Sequence, residues 1–347
     1  MKRVGNKMMV IDTTCRDGMH AVAHQFTPEQ IGQLAAALEK SGVNYMEVSH
    51  GDGLGGSSIN YGYGYATDRE WLMAARKELK NTKLAAMFLP GIGTMDDLRM
   101  AKECGVEMVR VTVHCTEADI TRQHVKLTSD LGMVPFGVLM MTHMVGPEKL
   151  LEQAQLFQEY GAQVVYMMDS AGYMMPDDVK ARVSYLAEHL EIPVGFHAHA
   201  NLQMQVPNTL AAIEVGASYT DGTLRGLGAG AGNTPTEILT AVLKRKGIET
   251  DIDLHAIEDA AEMLGKMPIY VQPVADKAAI TIGYAGVYGS FARHARNAAI
   301  RYGVDARDIL YECGKRKVVG GQEDIIIEVA VALAAQKKAT EQKKEGE

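Results

Sequence analysis

Two histidines one residue apart, His197 and His199, stand in GFHAHANL, residues 195–202, within a run that otherwise reads as a buried strand. Alternate side chains on a strand share a face, so both imidazoles point to the same side. Pointing inward near the strand's end, they make a clamp for a divalent cation. A carboxylate from another strand end would complete the set, and Asp17, in TTCRDGMHAVAHQ, is the best placed. Two imidazoles and one carboxylate leave coordination positions open for water and substrate, which suits Mn²⁺, Mg²⁺, Fe²⁺ or Zn²⁺. The plainer reading of His-x-His is a buried, hydrogen-bonded pair; the strand-end placement and Asp17 weigh against it.

The same stretch offers more groups. Arg16 could hold negative charge on an enolate or carboxylate, or be an ordinary salt-bridge partner. His20 could act as a general base, or be a solvent-exposed loop histidine, and His24 follows it. Asp169 and Ser170 close the strand YMMDS and could orient ligand or substrate, although Asp169 could equally be structural. The run GLGAGAGN (226–233) has G-x-G spacing but closes the last strand instead of following the first, so a dinucleotide fingerprint is weak there. A tight turn ending in a helix cap at Asn233 or Thr234 is expected instead. HGDGLGG lacks the Lys-Ser/Thr of a phosphate loop and reads as a flexible mouth loop, and the Met-rich strands read as core filler.

The elements that must position these groups show in a recurring pattern. Helical stretches end at glycine and lead into apolar runs, as in LEKSGVNYMEVSH, AKECGVEMVRVTVH, FQEYGAQVVYMMDS and AIEVGASYTDGTL. Glycine suits the left-handed position that ends a helix, and the runs read as strands buried on both faces. With MMVIDTT (8–14) and KLAAMFL (83–89) the count reaches eight strands. That favours an α/β fold of (β/α)₈ TIM-barrel type over residues 1–250, whose chemistry sits on the loops at the C-terminal ends of the strands. Beyond residue 250 the pattern turns helical, giving a helical extension over 251–335 and a charged, disordered tail over 336–347.

Composition sets the outer bounds. In 347 residues, 47% are hydrophobic and 22% charged, and no apolar run is long enough to span a membrane. A formal net charge of −8 argues against a nucleic-acid surface and for a small substrate. Cys15, Cys104, Cys115 and Cys313 are scattered without a C-x-x-C pair, and the start MKRVGNKMMVID shows no signal-peptide pattern, so a cytoplasmic protein is expected.

Over nearly its whole length the chain resembles the 4-hydroxy-2-oxovalerate (4-hydroxy-2-oxoacid) aldolases, class II pyruvate aldolases of the hydroxymethylglutaryl-CoA lyase-like superfamily. CRDGMHAVAHQF, EVSHGDGLGGSS, YMMDSAGYMMP, GFHAHANL, GLGAGAGNTP and GYAGVYGSF carry the resemblance. It implies retro-aldol cleavage to pyruvate and an aldehyde in aromatic (meta-cleavage) catabolism, with Asp17, His197 and His199 holding Mn²⁺ or another divalent metal such as Mg²⁺ or Co²⁺. It further implies that Arg16 stabilises the pyruvate enolate and that His20 acts as base on the C4 hydroxyl. Ser170 would contact the substrate carboxylate, Tyr288 would reach the C4 oxygen, and His197 would join the substrate contacts. An acylating acetaldehyde dehydrogenase that receives the aldehyde through a channel is the implied partner, docked on the C-terminal helices. The chain departs from the family pattern at Cys15, at Ala200 and around Arg225, which bears on the substrate's distal group and on the partner. A Claisen-type condensing enzyme of the isopropylmalate synthase kind is the competing reading, for which a longer regulatory tail is expected. A non-catalytic subunit is a third, opposed by the intact set of Arg16, Asp17, His20, His197 and His199.

Overall fold

The computed structural model describes residues 7–345, so the first six residues, with the expectation for the chain start, and residues 346–347 lie outside the described part. In chain order the elements are β1 (Met9–Asp12), α1 (Gly18–Ala21), α2 (Pro28–Ser41), β2 (Tyr45–Glu47), α3 (Asp68–Glu78), β3 (Lys83–Phe88), α4 (Met95–Glu103), β4 (Met108–His114), α5 (Arg122–Asp130), β5 (Val134–Met140) and α6 (Pro147–Tyr160). They continue with β6 (Val164–Asp169), α7 (Pro176–His189), β7 (Val194–Ala198), α8 (Gln205–Glu214), β8 (Tyr219–Gly222), α9 (Thr236–Arg245), α10 (Leu254–Gly265), α11 (Lys277–Ala285), α12 (Phe291–Tyr302), α13 (Ala306–Lys315) and α14 (Glu323–Glu345). All eight strands pair in parallel and in sequence order, and β8 closes on β1 with Met9 opposite Tyr219 and Asp12 opposite Gly222. This is the (β/α)₈ barrel that the sequence pattern implies.

Local chemistry sets the helix ends. Thr27, Thr67 and Thr94 begin α2, α3 and α4 with reciprocal capping bonds to Gln30, Glu70 and Asp97. Gly42 and Gly161 end α2 and α6 in the left-handed region, the turn the glycine-ended repeats anticipate.

The barrel has two apolar layers. Outside the sheet, Val10, Val48, Leu84, Val109, Val111, Val165 and Phe196 meet the helices. Inside, Ile11, Tyr45, Met87, Met108, Phe136, Tyr166 and Met168 fill the lower barrel, which bears out several of the methionines as core. Gly195 makes that filling possible, because a Cβ there would lie 2.4 Å from the Tyr166 ring. Toward the C-terminal ends the inward positions change from apolar to charged: Glu47, Arg110, His197 and Asp221 are all buried.

Two sequence expectations are corrected. Helix α10 presents Ile257, Ala260, Ala261 and Leu264 to the barrel core, whereas a separate core of Ile282, Phe291, Ile309, Leu310, Ile326 and Val329 joins α11–α14. The division therefore falls between α10 and α11 and not at residue 250. The tail expected to be disordered from 336 instead continues α14 as far as Glu345, since Ala, Gln, Lys and Glu are strong helix formers whatever their charge.

Candidate metal and catalytic site

The site begins with the turn after β1. Asp12 Oδ1 accepts from the Thr14 N–H at 3.0 Å and Oδ2 from the Thr236 hydroxyl at 2.9 Å, while Thr14 Oγ1 accepts from the Leu224 N–H at 2.8 Å. These bonds lock the β1 and β8 ends together and deliver Arg16 and Asp17 to the mouth. Burial pushes the Asp12 carboxyl up to about 6 against those hydrogen bonds.

Three donor atoms converge there. The donor atoms of Asp17, His197 and His199 lie within 4.8 Å of one another, and all three residues are buried. His197 Nε2 and His199 Nε2 are 3.1 Å apart, and Asp17 Oδ2 lies 3.5 Å from the first and 3.8 Å from the second. His197 Nδ1–H donates to Asp221 Oδ2 at 2.8 Å, which fixes the tautomer and leaves Nε2 with its lone pair toward Asp17. The other Asp17 oxygen, Oδ1, accepts from the Ala229 N–H at 3.0 Å, so the glycine-rich run after β8 seats the carboxylate.

The electrostatics suit a cation. Burial opposes the charge on Asp17, but the Arg16 guanidinium and the two imidazoles hold its carboxyl well below the usual range. Burial pushes His199 down to about 4, leaving a neutral imidazole able to ligate. His197 is raised despite its burial, because Asp17 and Asp221 both stabilise its charged form.

Around the triad runs a buried charge network that sequence reasoning missed. Arg16 Nε donates to Glu47 Oε2 and its NH1 to Asp17 Oδ2, both at 2.7 Å. Arg110 NH1 pairs with Asp221 Oδ2 at 2.7 Å, and its guanidinium lies over the Tyr166 ring at 4.4 Å. Two guanidiniums thus meet the three carboxylates of Asp17, Glu47 and Asp221, an excess of negative charge that favours a divalent cation. The available signal was a lone charge in each of three apolar strands, YME, MVRVTVH and YTDG. Arg16 NH2 is buried with no hydrogen-bond partner, as are both polar side-chain atoms of Asn233, whose backbone bridges His199. These orphaned atoms, beside a carboxylate and two imidazoles, fit a site built to receive a metal ion and an oxygen-rich anion.

The remaining candidates divide. His20 is half-buried on α1, its N–H donating to the Asp17 carbonyl at 3.1 Å, next to His24 and Asp52. Ser170 Oγ accepts from the Met141 N–H at 3.1 Å and keeps its own proton to donate. Asp169 is structural: it accepts from the N–H groups of Tyr173 and Met174, and burial raises it to about 6 despite those bonds. Tyr288 stacks on His114 over the end of β4, where Leu89, Thr112, Met140 and Val319 help line a cavity of about 350 Å³. Burial raises its hydroxyl, so it stays protonated and can donate.

Other expectations change. Helix α9 starts at Thr236 after Pro235 with no side-chain cap, so neither Asn233 nor Thr234 caps it. The HGDGLGG loop is pinned, because the Asp68 carboxylate accepts from the N–H groups of both His50 and Gly55 at 2.8 Å. Ala200 is buried in a small contact with Ala231 and Ala279, and Arg225 pairs with Glu262 and lies over Tyr270. Cys15 is likewise buried in the core. All four cysteines are free and buried, and no helix of the described residues is long and apolar enough to cross a membrane.

Such a site on such a fold defines a class: a (β/α)₈ barrel whose strand ends gather two histidines and an aspartate for a divalent ion. The HMGL-like family matches residues 7–264, and the DmpG-like communication domain matches 273–335, either side of the division between the two cores. The 4-hydroxy-2-oxovalerate aldolase of Carboxydothermus hydrogenoformans is 56% identical over 96% of this chain and 100% of that protein. The enzyme of the same name from Pseudomonas putida is 50% identical over 95% and 96%. The carboxyl transferase domain of Rhizobium etli pyruvate carboxylase, solved with pyruvate, shares the fold with a TM-score of 0.78 at 15% identity, covering 96% of this chain and 62% of that one. The chain belongs to the 4-hydroxy-2-oxovalerate aldolase family, and it is a carbon–carbon lyase.

Proposed function

We propose that the chain cleaves 4-hydroxy-2-oxoacids of the 4-hydroxy-2-oxovalerate type to pyruvate and an aldehyde, acetaldehyde for the parent substrate, in aromatic catabolism. The observation that carries this is Arg16: a buried guanidinium held by Glu47 and Asp17, with its NH2 unpartnered beside the three-ligand cluster. A hydrogen-bond acceptor arriving from outside, such as a substrate carboxylate or enolate oxygen, would satisfy it.

A divalent ion on Asp17, His197 and His199, Mn²⁺ in this reading, would supply Lewis-acid polarisation of the substrate's 2-oxo group. His20 removes the C4 hydroxyl proton as the C3–C4 pair withdraws toward the former carbonyl. Arg16 NH2 meets the negative charge as it builds on that oxygen. Ser170 donates to the substrate carboxylate, and Tyr288 donates to the C4 oxygen as it becomes the aldehyde carbonyl. The communication-domain match over 273–335 supports an acylating aldehyde dehydrogenase as partner, receiving the aldehyde through a channel. The same match weighs against the Claisen-type condensing reading.

The test is pyruvate release from 4-hydroxy-2-oxopentanoate with Mn²⁺, using EDTA as control. His199→Ala should lose the metal. His20→Ala should keep the metal and lose about 100-fold or more in turnover. A metal-free chain that still releases pyruvate, or His20→Ala at the wild-type rate, would sink the assignment.

A further inference from the structure

A second group of metal-ligating side chains lies beside the first. Donor atoms of His20, His24 and Asp52 all lie within 4.8 Å of one another, with His24 buried and the other two half-buried. The backbone is bent to gather them. Ala23 and His24 both sit in the left-handed region, at φ 51° and 62°, a conformation that non-glycine residues rarely adopt and that concentrates at functional positions. Gly51 leaves room for the rings, since a Cβ there would lie 2.7 Å from His24 Cε1 and 2.8 Å from His20 Cε1.

Neighbours hold the cluster ready. The His24 ring is stacked on His50 with centroids 3.7 Å apart and meets His20 edge-on at 5.3 Å. His24 Nδ1 accepts only a long 3.4 Å bond from the Gly51 N–H, so its lone pair is weakly used. Burial, with His50 and His20 adding to it, holds His24 down to about 3, a neutral ligand at physiological pH. Among the described residues no protein hydrogen bond engages the His20 ring.

We propose that His20, His24 and Asp52 form a second metal site, selective for a nitrogen-preferring divalent cation such as Zn²⁺, whose occupancy takes the His20 lone pair and silences cleavage. Its silencing half rests on His20 being the base. The donor set repeats that of Asp17, His197 and His199, and by the general order of divalent affinities two imidazoles and one carboxylate bind Zn²⁺ more tightly than Mn²⁺. Tetrahedral Zn²⁺ needs its ligand atoms about 3.3 Å apart, so any wider separation in the cluster must shorten on binding. The exposure of His20 and Asp52 leaves room for that rotation. The site would make micromolar zinc an inhibitor that extra Mn²⁺ does not relieve.

The full chain is dialysed against Zn²⁺ and its bound metal counted by elemental analysis. Wild type should hold two zinc ions per chain, while His199→Ala, Asp52→Asn and His24→Asn should each hold one; asparagine tolerates the left-handed backbone at 24. In Mn²⁺-saturated enzyme, with inhibition normalised to each variant's own rate, Asp52→Asn should need at least about tenfold more Zn²⁺ than wild type for half-inhibition. A single zinc ion in wild type, or two in Asp52→Asn, would overturn the site. Two zinc ions with undiminished turnover would overturn the silencing. In that event His20→Ala separates the causes: if it is still active, the base assignment fell, and if it is inactive, only the link between zinc and base did.

Discussion

Asp221 shows how one side chain can govern the site without touching the substrate. It accepts from His197 Nδ1 and pairs with Arg110, and burial opposes its charge less than Arg110 and His197 favour it, so its carboxyl is held low. Asp221→Asn would keep the shape and lose the charge, and Mn²⁺ affinity should fall by roughly 10- to 100-fold in an equilibrium titration. Unchanged affinity would show that His197 needs no charged support. Arg110→Met should be worse for folding, because Asp221 and part of Glu47 would be left buried and uncompensated; a loss of about 3–5 kcal/mol in denaturant unfolding is expected. The triad itself was legible because strand periodicity couples His197 to His199 and because Asp17 follows β1. Glu47, Arg110 and Asp221 were not, since each is a single charge on a different strand and only barrel closure brings the three together.

At the scale of elements, the repeats reported the strands well because glycine-ended helices and apolar runs are local signals. The helical layer was harder. Nothing in DLHAIEDAAEMLGKM tells whether its apolar face meets the barrel or the second core, and that choice put α10 with the barrel. Gly195 and Tyr166 are a pair of this kind, set opposite each other on the neighbouring strands β6 and β7 only once the register is fixed. Gly195→Ala should cost about 1–3 kcal/mol through overpacking, and clearly less in a Tyr166→Leu background. Equal costs in both backgrounds would mean that the ring is not what the methyl meets. Glu39 ties α2 to the entry of β3: burial works against its charge, but the N–H groups of Thr82, Lys80 and Asn81 bring it from 4.5 down to about 2. Its folded value is depressed, so its stabilisation is present above the unfolded value and is lost as pH falls from about 4.5 toward 2. The stability gap between wild type and Glu39→Gln should therefore narrow over that interval in acid unfolding, whereas a constant gap would contradict it.

The whole molecule is two cores that meet at the C-terminal ends of the strands, where small residues pack closely between a few hydrogen bonds. Ala200 packs with Ala231 and Ala279, Asn201 Nδ2 donates to the Ala279 carbonyl at 3.1 Å, and His143 Nε2–H donates to the Gly286 carbonyl at 3.0 Å. Ala200 thus serves the seating of α11 on the barrel, a role that only the assembled fold discloses. Gly283 marks the tightest point, where a Cβ would lie 2.8 Å from Leu202 Cγ and 3.0 Å from Asn201 Cβ. Gly283→Ala must lift α11, and with it the Gly286–Val287–Tyr288 turn that hangs over β4. Asp17, His197 and His199 all come from the barrel, so Mn²⁺ affinity should hold while turnover on 4-hydroxy-2-oxopentanoate falls about tenfold or more, as a misplaced positioning group costs. Parallel loss of metal would place the damage in the barrel, and unchanged turnover would remove Tyr288 from the chemistry.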